Sequence, residues 1–246
     1  KQNKNNFDYI TFVGSGEPTL YKDLEELILK TKTFSNKPIC VITNGALLYN
    51  EEVVKALLLS DIVLPSLDAG DERSFIRINR PHPDIQYDSV IQGFIDFRRK
   101  FKGKFWIEIM IMKAINDSKK ELLKIKEKID LIKPDKIDIN IPIRPPLEKW
   151  VKIPDKSIFV LLDEIFGSYS DISFPEIGNF YLYSQDFEKE LLNIIKRHPM
   201  RQNQILKTFS SNNFKKEAII YRLKKLESKN IIKKSTYNKQ IYWSLY

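Results

Sequence analysis

Phe12-Val13-Gly14-Ser15-Gly16-Glu17-Pro18-Thr19-Leu20 is the stretch on which the fold of this chain turns. An apolar run (Tyr9, Ile10, Phe12, Val13) precedes it and an amphipathic helical pattern follows, so a strand ends and a helix begins there. Two glycines let the backbone approach a ligand closely or take positive φ. Pro18 fixes its own φ and restricts Glu17, which places a carboxylate on a stiff, bent segment. In α/β folds the C-terminal ends of the strands are where ligands bind. Taken alone, the same residues also suit a strand-ending turn with a solvated Glu.

Outward from this stretch, strand-like and helix-like segments alternate from Phe7 to about Phe174. Strands are expected at 9–13, 38–43, 62–67, 105–112 and 136–141, each rich in Ile, Val or Phe. Between them, Leu24, Leu27 and Ile28 form one apolar stripe and Val53, Val54, Leu57 and Leu58 a second. Val90, Phe94, Phe97 and Phe101 recur at helical spacing and mark a buried helix face. Ser118 and Glu121 read as a capping box opening a helix with Leu122, Ile125 and Ile129 inward. Repeated βα units imply a parallel sheet, either doubly wound or a full or partial barrel. Pro65 is awkward in a central strand, so the third run should be short or bent.

The ends of the expected strands are polar. After the first comes Gly14-Ser15-Gly16-Glu17-Pro18, after the second Thr43-Asn44-Gly45, after the third Ser66-Leu67-Asp68-Ala69-Gly70. Four of the eight glycines lie in these three turns, which argues for one shared rim rather than three unrelated caps. Two phosphate motifs are excluded. A Walker A loop needs Gly-Lys-Ser/Thr where Glu17-Pro18 stands, and the dinucleotide fingerprint needs a glycine where Thr19 stands. An acidic residue in the turn repels a phosphate and favours an ammonium group.

The 246 residues suit one large domain, or a medium domain with an appendage. With 42% hydrophobic and 30% charged residues the composition is that of a globular protein. No apolar stretch suits a signal peptide or a membrane span, and the single cysteine, Cys40, excludes an internal disulfide framework, so a cytoplasmic location is expected. The net charge of +9 is uneven: residues 187–246 hold fourteen Lys or Arg against four Glu, and the remainder is nearly neutral. That asymmetry suggests two domains, 1–178 and 187–246, joined by a linker at 179–186.

With these residues in view, the first part of the chain resembles the radical S-adenosylmethionine (SAM) enzymes. Gly-Ser-Gly-Glu-Pro-Thr-Leu at 14–20 looks like their Gly-Gly-Glu-Pro segment, and Ile42-Thr43-Asn44-Gly45 resembles their next strand end. Ser66-Leu67-Asp68-Ala69-Gly70-Asp71, with Phe75 and Ile78-Asn79-Arg80-Pro81, is similar to the subgroup that includes tRNA wyosine-forming enzymes. Glu108 and Asn116-Asp117 match that subgroup's spacing, and the likeness covers about residues 8–145. The resemblance implies a partial (β/α)6 barrel that binds SAM. It implies that Gly14, Ser15 and Glu17, in the segment with Gly16 and Pro18, receive the methionine amino group. It places Asn44, beside Thr43, with Ser66 and Asp68 near the carboxylate and ribose, and Asn140 and Ile141 beside the adenine. Glu108, Asn116 and Arg144 are candidate substrate contacts. The family's activity, again by resemblance, is electron transfer from a [4Fe-4S] cluster, supplied by an electron donor protein, to the bound sulfonium. The resulting 5′-deoxyadenosyl radical takes hydrogen from a substrate; here RNA and protein both remain open.

The same resemblance exposes a departure. The family cluster is held by Cys-x3-Cys-x2-Cys after the first strand, and a cluster with one open iron needs three thiolates. This sequence has Cys40 alone, which reads as a buried small hydrophobe, and neither His82 nor His198 replaces a triad. Five strands are legible where the family barrel has six, so the chain reads as a member lacking its first βα unit, with no metal ligands of its own. Met110 and Met112 read as core or barrel lining.

In the last quarter, helices are expected at 187–198, 202–209 and 214–228, followed by strands at 231–236 and 240–245 around a three-residue turn. Three helices and a hairpin make the winged-helix form of a helix-turn-helix domain. Lys215, Lys216, Arg222, Lys225 and Lys229 on the last helix and Lys233, Lys234 and Lys239 on the hairpin suit a nucleic-acid backbone, with Tyr237, Tyr242 and Trp243 interleaved. A basic, merely solvated domain has the same pattern. Three readings of the whole follow: a radical SAM enzyme or a truncated copy of one, a winged-helix regulator whose barrel senses a small ligand, and a non-radical α/β enzyme.

Overall fold

The computed structural model describes residues 7–14, 16–167, 170–172, 182, 184–196 and 199–246. Ser15, His198 and residues 179–181 and 183 of the expected linker lie outside them. The chain divides into two compact units, Lys1–Ile141 with Lys152–Ser173, and Pro142–Val151 with Phe174–Tyr246.

In the first unit six parallel strands stand in sequential order: β1 (Ile10–Phe12), β2 (Ile39–Thr43), β3 (Ile62–Pro65), β4 (Lys104–Met110), β5 (Lys136–Asn140) and β6 (Ser170–Ile172). A doubly wound sheet reverses its order at a switch point. This one has no reversal, and the winding is that of a partial barrel. β6 corrects the count of five: it pairs through Ile137↔Ser170 and Ile139↔Ile172. A three-residue strand with no extended apolar run carries too weak a pattern to be read from sequence. The strand count therefore gives no ground for a missing first unit. β3 is short and ends on Pro65, where the missing N–H is lost from the ladder's last position only.

The connecting helices are α1 (Leu24–Phe34), α2 (Glu51–Leu57), α3 (Glu72–Asn79), α4 (Tyr87–Lys100), α5 (Lys119–Ile132) and α6 (Ile158–Phe166). Their starts are set by side chains: Asn50, Asp71 and Ser118 accept from Val53, Ser74 and Glu121 N–H groups. The core lies between the outer face of the sheet (Val41, Val63, Phe105, Ile107, Ile137, Ile139) and the inner helix faces. Val90, Phe94, Phe97 and Phe101 are all buried, as their spacing predicts, and Phe97 packs on Phe101 with ring centroids 5.0 Å apart. Each such ring contributes about 1.5–3 kcal/mol through burial. Strand alternation sends the remaining β4 and β5 side chains to the opposite face, where Trp106, Glu108 and Met110 stand in register with Lys136, Asp138 and Asn140.

The second unit contains α7 (Phe187–Ile195), β7 (Met200–Arg201), α8 (Gln202–Ser210), α9 (Lys216–Ser228), β8 (Ile232–Tyr237) and β9 (Gln240–Leu245). The strands form an antiparallel sheet in the order β7-β9-β8 over a core of Phe187, Leu191, Ile205, Phe209, Ile219, Leu223 and Trp243. The hairpin turn is two residues rather than three. Tyr237 pairs with Gln240, and Asn238 and Lys239 both have positive φ (47° and 60°). That conformation matches the twist of a tight hairpin. Residues 142–151 group with this unit and not with the barrel. The Tyr237 and Tyr242 hydroxyls donate to the carbonyls of Pro142 (2.8 Å) and Ile143 (2.6 Å), which ties the segment to the hairpin.

Candidate functional site

The strand ends of the first unit bring the expected rim residues together. Glu17 caps a 3-10 turn at Pro18–Leu20. Its Oε1 accepts from Thr19 N–H (3.1 Å), the Thr19 hydroxyl (2.8 Å) and the Thr43 hydroxyl (2.5 Å); its Oε2 accepts from Asn44 N–H at 2.7 Å. The carboxylate is thereby strapped across the ends of β1 and β2. Each oxygen of an ionised carboxylate offers two lone-pair sites. Oε1 is fully engaged, whereas Oε2 accepts one hydrogen bond from the described residues, which leaves its second lone-pair site without a partner among them. Thr19 was not foreseen in this role; a hydroxyl two residues after a strand-end Glu is the signal that marks it.

The glycines of these turns serve different ends. Neither Gly14 nor Gly16 takes positive φ; an added Cβ at Gly16 meets nothing within 4 Å, so the glycine leaves open space at the rim. Gly45 does require its residue type: φ is +73° and a Cβ would lie 2.4 Å from the Phe94 ring. The Thr43 hydroxyl accepts from Gly45 N–H at 3.1 Å, so this turn also fixes the donor that holds Glu17.

On β3 to β5 a second group converges. Ser66 bridges to Glu108 in the parallel sense and donates its N–H to Thr43 O at 3.1 Å. Asp68 Oδ1 accepts from Met110 N–H at 2.7 Å. Burial, opposed by that hydrogen bond and reinforced by Glu108, pushes the Asp68 carboxyl up to about 7. Burial likewise raises Glu108, against the Asn140 amide that donates to its Oε1. Near neutral pH the Asp68 carboxyl can hold and release a proton. Ile141, beyond Asn140, packs partly buried on the core.

Asn116 is not a substrate contact. It is 1% exposed, its amide donates to Asp68 O and Met110 O (both 2.9 Å), and its Oδ1 accepts from Met112 N–H at 2.8 Å. Both amide hydrogens are spent on the chain itself, so Asn116 positions Asp68. Arg144 belongs to the second unit.

Below Glu108 on the same strand face stand residues that the apolar reading of β4 and β5 overlooked. Lys136 forms an ion pair with Asp138 at 2.8 Å and lies 5.1 Å from the centre of the Trp106 ring, which Tyr9 meets edge-on at 6.4 Å. The alternation Lys-Ile-Asp-Ile-Asn at 136–140 is the available signal, since a strand buried on both faces would be apolar throughout. Cys40 lies buried in β2, and burial followed by the charge of Asp138 pushes its thiol up to about 11. A neutral buried thiol is neither a thiolate nor one of three, so the cysteine in this sequence does not fit an iron–sulfur cluster. Among the described residues no group of His, Cys, Asp or Glu could hold a metal ion.

In the second unit, seven of the eight expected basic contacts are exposed: Lys215, Lys216, Lys225, Lys229, Lys233, Lys234 and Lys239. Arg222 is the exception. Its guanidinium packs over the Phe187 and Phe214 rings at 5.4 and 5.5 Å and serves the fold. The interleaved aromatics are also engaged internally, with Tyr242 and Trp243 buried and the Tyr237 hydroxyl bonded to Pro142. A period-2 pattern cannot tell an aromatic facing solvent from one facing its own domain.

Residues 1–125, with the Glu17 turn and the β2 and β3 ends among them, match the Radical SAM superfamily. The chain belongs to the Radical SAM superfamily. The UPF0026 protein MJ1312 of Methanocaldococcus jannaschii is 34% identical over 218 residues, 87% of this chain and 68% of that protein. A 137-residue stretch is 50% identical to the GTPase Obg of Brachyspira hyodysenteriae, covering 56% of this chain but only 20% of that protein. The fold is similar to that of Streptococcus suis SuiB, solved bound to S-adenosylmethionine, with a TM-score of 0.50 and 19% identity over 70% of this chain and 40% of that one. This superfamily chain therefore spans one fifth of one relative and about two thirds of the other. Among the described residues no helix is long and apolar enough to cross a membrane.

Proposed function

We propose that this chain is the SAM-binding portion of a radical SAM enzyme, with Glu17 as the acceptor for the SAM ammonium group. The observation that carries this reading is the orientation of Glu17. Thr19, Thr43 and Asn44 N–H hold its carboxylate across two strand ends, and one Oε2 acceptor site has no partner among the described residues. A preoriented acceptor of this kind suits an ammonium donor. Gly14, Gly16 and Pro18 belong to the same turn, and Ser15, outside the described residues, is a further candidate contact. Asn44, Ser66 and Asp68 would meet the SAM carboxylate and ribose, and Asn140 and Ile141 the adenine. An ionised Asp68 would repel that carboxylate; with its proton affinity raised to about pH 7, the side chain can instead donate to it. SAM, when bound, is the precursor of a 5′-deoxyadenosyl radical; the chain's own residues bind and orient it. Glu108 is the rim residue left for a substrate.

A cluster serving this site takes its three thiolates from polypeptide outside these 246 residues, and the electron donor is likewise a separate protein. The 246-residue chain alone, treated with iron and sulfide, should bind SAM without cleaving it. Likeness to the wyosine-forming subgroup at Ser66–Asp71 and Ile78–Pro81 motivates RNA as the substrate class. The second unit supports it: its order of three helices and a three-stranded sheet suits a winged helix, with seven exposed lysines for a phosphate backbone. Equilibrium dialysis of labelled SAM against this chain tests the reading. Saturable binding competed by unlabelled SAM is expected; retention that unlabelled SAM fails to displace would sink it.

A further inference from the structure

The outward face of α9 carries an aromatic ring that the fold does not use. We propose that Tyr221, flanked by Lys224 and Lys225, is a stacking site for one unpaired nucleobase of an RNA. This rests on the RNA reading of the second unit and is independent of SAM binding.

Spacing along α9 fixes which way Tyr221 points. Ile219, Leu223 and Leu226 are buried against the core of the second unit. At 3.6 residues per turn Tyr221 stands on the opposite side of the helix, with Glu217, Lys224 and Lys225 as its neighbours one turn away. Tyr221 is 68% exposed, and Ile220 beside it adds further exposed apolar surface. Among the described residues neither the Tyr221 ring nor its hydroxyl has a partner. The hairpin tyrosines differ: the Tyr237 and Tyr242 hydroxyls are spent on the carbonyls of Pro142 and Ile143.

A single exposed ring is ordinary on a protein surface; its charged surroundings are not. Lys215, Lys216, Lys224, Lys225 and Lys229 are exposed on or beside the same helix, and none of the five has an acidic partner among the described residues. Lys225 and Lys229 lie one turn apart, a like-charge repulsion that a phosphate backbone relieves. Glu217 is an acid of the first turn, where the helix dipole favours it. An aromatic face bordered by unpaired cations suits a single strand, whose bases stack while its phosphates meet the lysines. Duplex RNA is a poor fit, because its deep, narrow major groove shuts out a helix and its bases are reached where they are unpaired. One ring serves one base, and stacking tolerates any base, so the site selects an unpaired base rather than a sequence.

Fluorescence anisotropy of the full 246-residue chain tests this with a labelled RNA hairpin carrying an unpaired loop and with the blunt duplex of the same stem. The hairpin should bind at least about tenfold tighter than the duplex. Tyr221→Ala should lose about tenfold for the hairpin and nothing for the duplex, with its salt dependence unchanged because no cation is removed. Tyr221→Phe keeps the ring and should bind as the wild type does. Should Tyr221→Ala melt early, Tyr221→Gln replaces it. Hairpin binding that Tyr221→Ala leaves intact overturns the stacking site and spares the RNA reading. Binding of neither RNA sinks both. Duplex RNA, duplex DNA or polyglutamate bound as tightly as the hairpin shows a surface that reads charge alone, and also overturns the proposal.

Discussion

Replacing Asp68 with Asn removes a buried negative charge while keeping an oxygen that can accept from Met110 N–H. The Asp68 carboxyl has its proton affinity raised from the ordinary 3.8 to about 7, first by burial. An acid whose folded value lies above its unfolded value binds its proton more tightly in the native state. Its contribution to stability is therefore fully present below about pH 4 and is lost as pH rises to about 7. From about pH 5 to pH 8 the wild type should lose roughly 3 kcal/mol that Asp68→Asn does not lose. Because the residue as a whole is partly exposed, this is an upper limit. Urea unfolding of both proteins across this range reads the difference directly. The stability gap must widen in favour of Asp68→Asn with pH. Since the Glu108 charge contributes to the shift, the widening should be smaller in a Glu108→Gln background. Two parallel stability curves would refute the assignment of a buried, proton-holding carboxyl at the rim.

Three further outcomes follow from packing and hydrogen bonding. Gly45→Ala combines a φ of +73° with a Cβ 2.4 Å from the Phe94 ring, and should destabilise the first unit by more than about 2 kcal/mol in denaturant melts. Asn116→Ala leaves Met112 N–H and two carbonyls unpaired, and should cost on the order of 3 kcal/mol by the same measurement. In the second unit, Arg222→Ala should lower the melting temperature yet leave affinity for a short RNA unchanged. Lys215→Ala with Lys216→Ala should do the reverse and reduce the salt dependence by about one ion for each lysine that meets a phosphate.

Most of the barrel could be read from the chain, because its evidence is local. Val90, Phe94, Phe97 and Phe101 specify a helix face by spacing, and Ser118 and Glu121 specify where the next helix starts. The rim was legible for a different reason: Glu17, Asn44, Ser66 and Asp68 break apolar strands at matching positions, which solvated loops have no cause to do. What stayed hidden depends on contacts between distant segments. β6 is a strand by virtue of its pairing with β5, not its composition. Asn116 looks like a loop residue until its amide is seen to span Asp68 and Met110. Arg222 carries the same charge as its lysine neighbours, and only the positions of Phe187 and Phe214 show that it serves the core. Residues 142–151 read as an extension of the barrel because the tyrosines that hold them lie some 95 residues later.

The claim that Glu17 accepts the SAM ammonium is tested most directly by a two-by-two titration. Wild type and Glu17→Gln would each be titrated with SAM and with 5′-methylthioadenosine, which keeps the adenosine and lacks the amino acid. Glu17→Gln should weaken SAM by about tenfold or more, the worth of one charge-assisted hydrogen bond, and leave methylthioadenosine unchanged. Equal weakening of both ligands, or no weakening of either, would contradict the account.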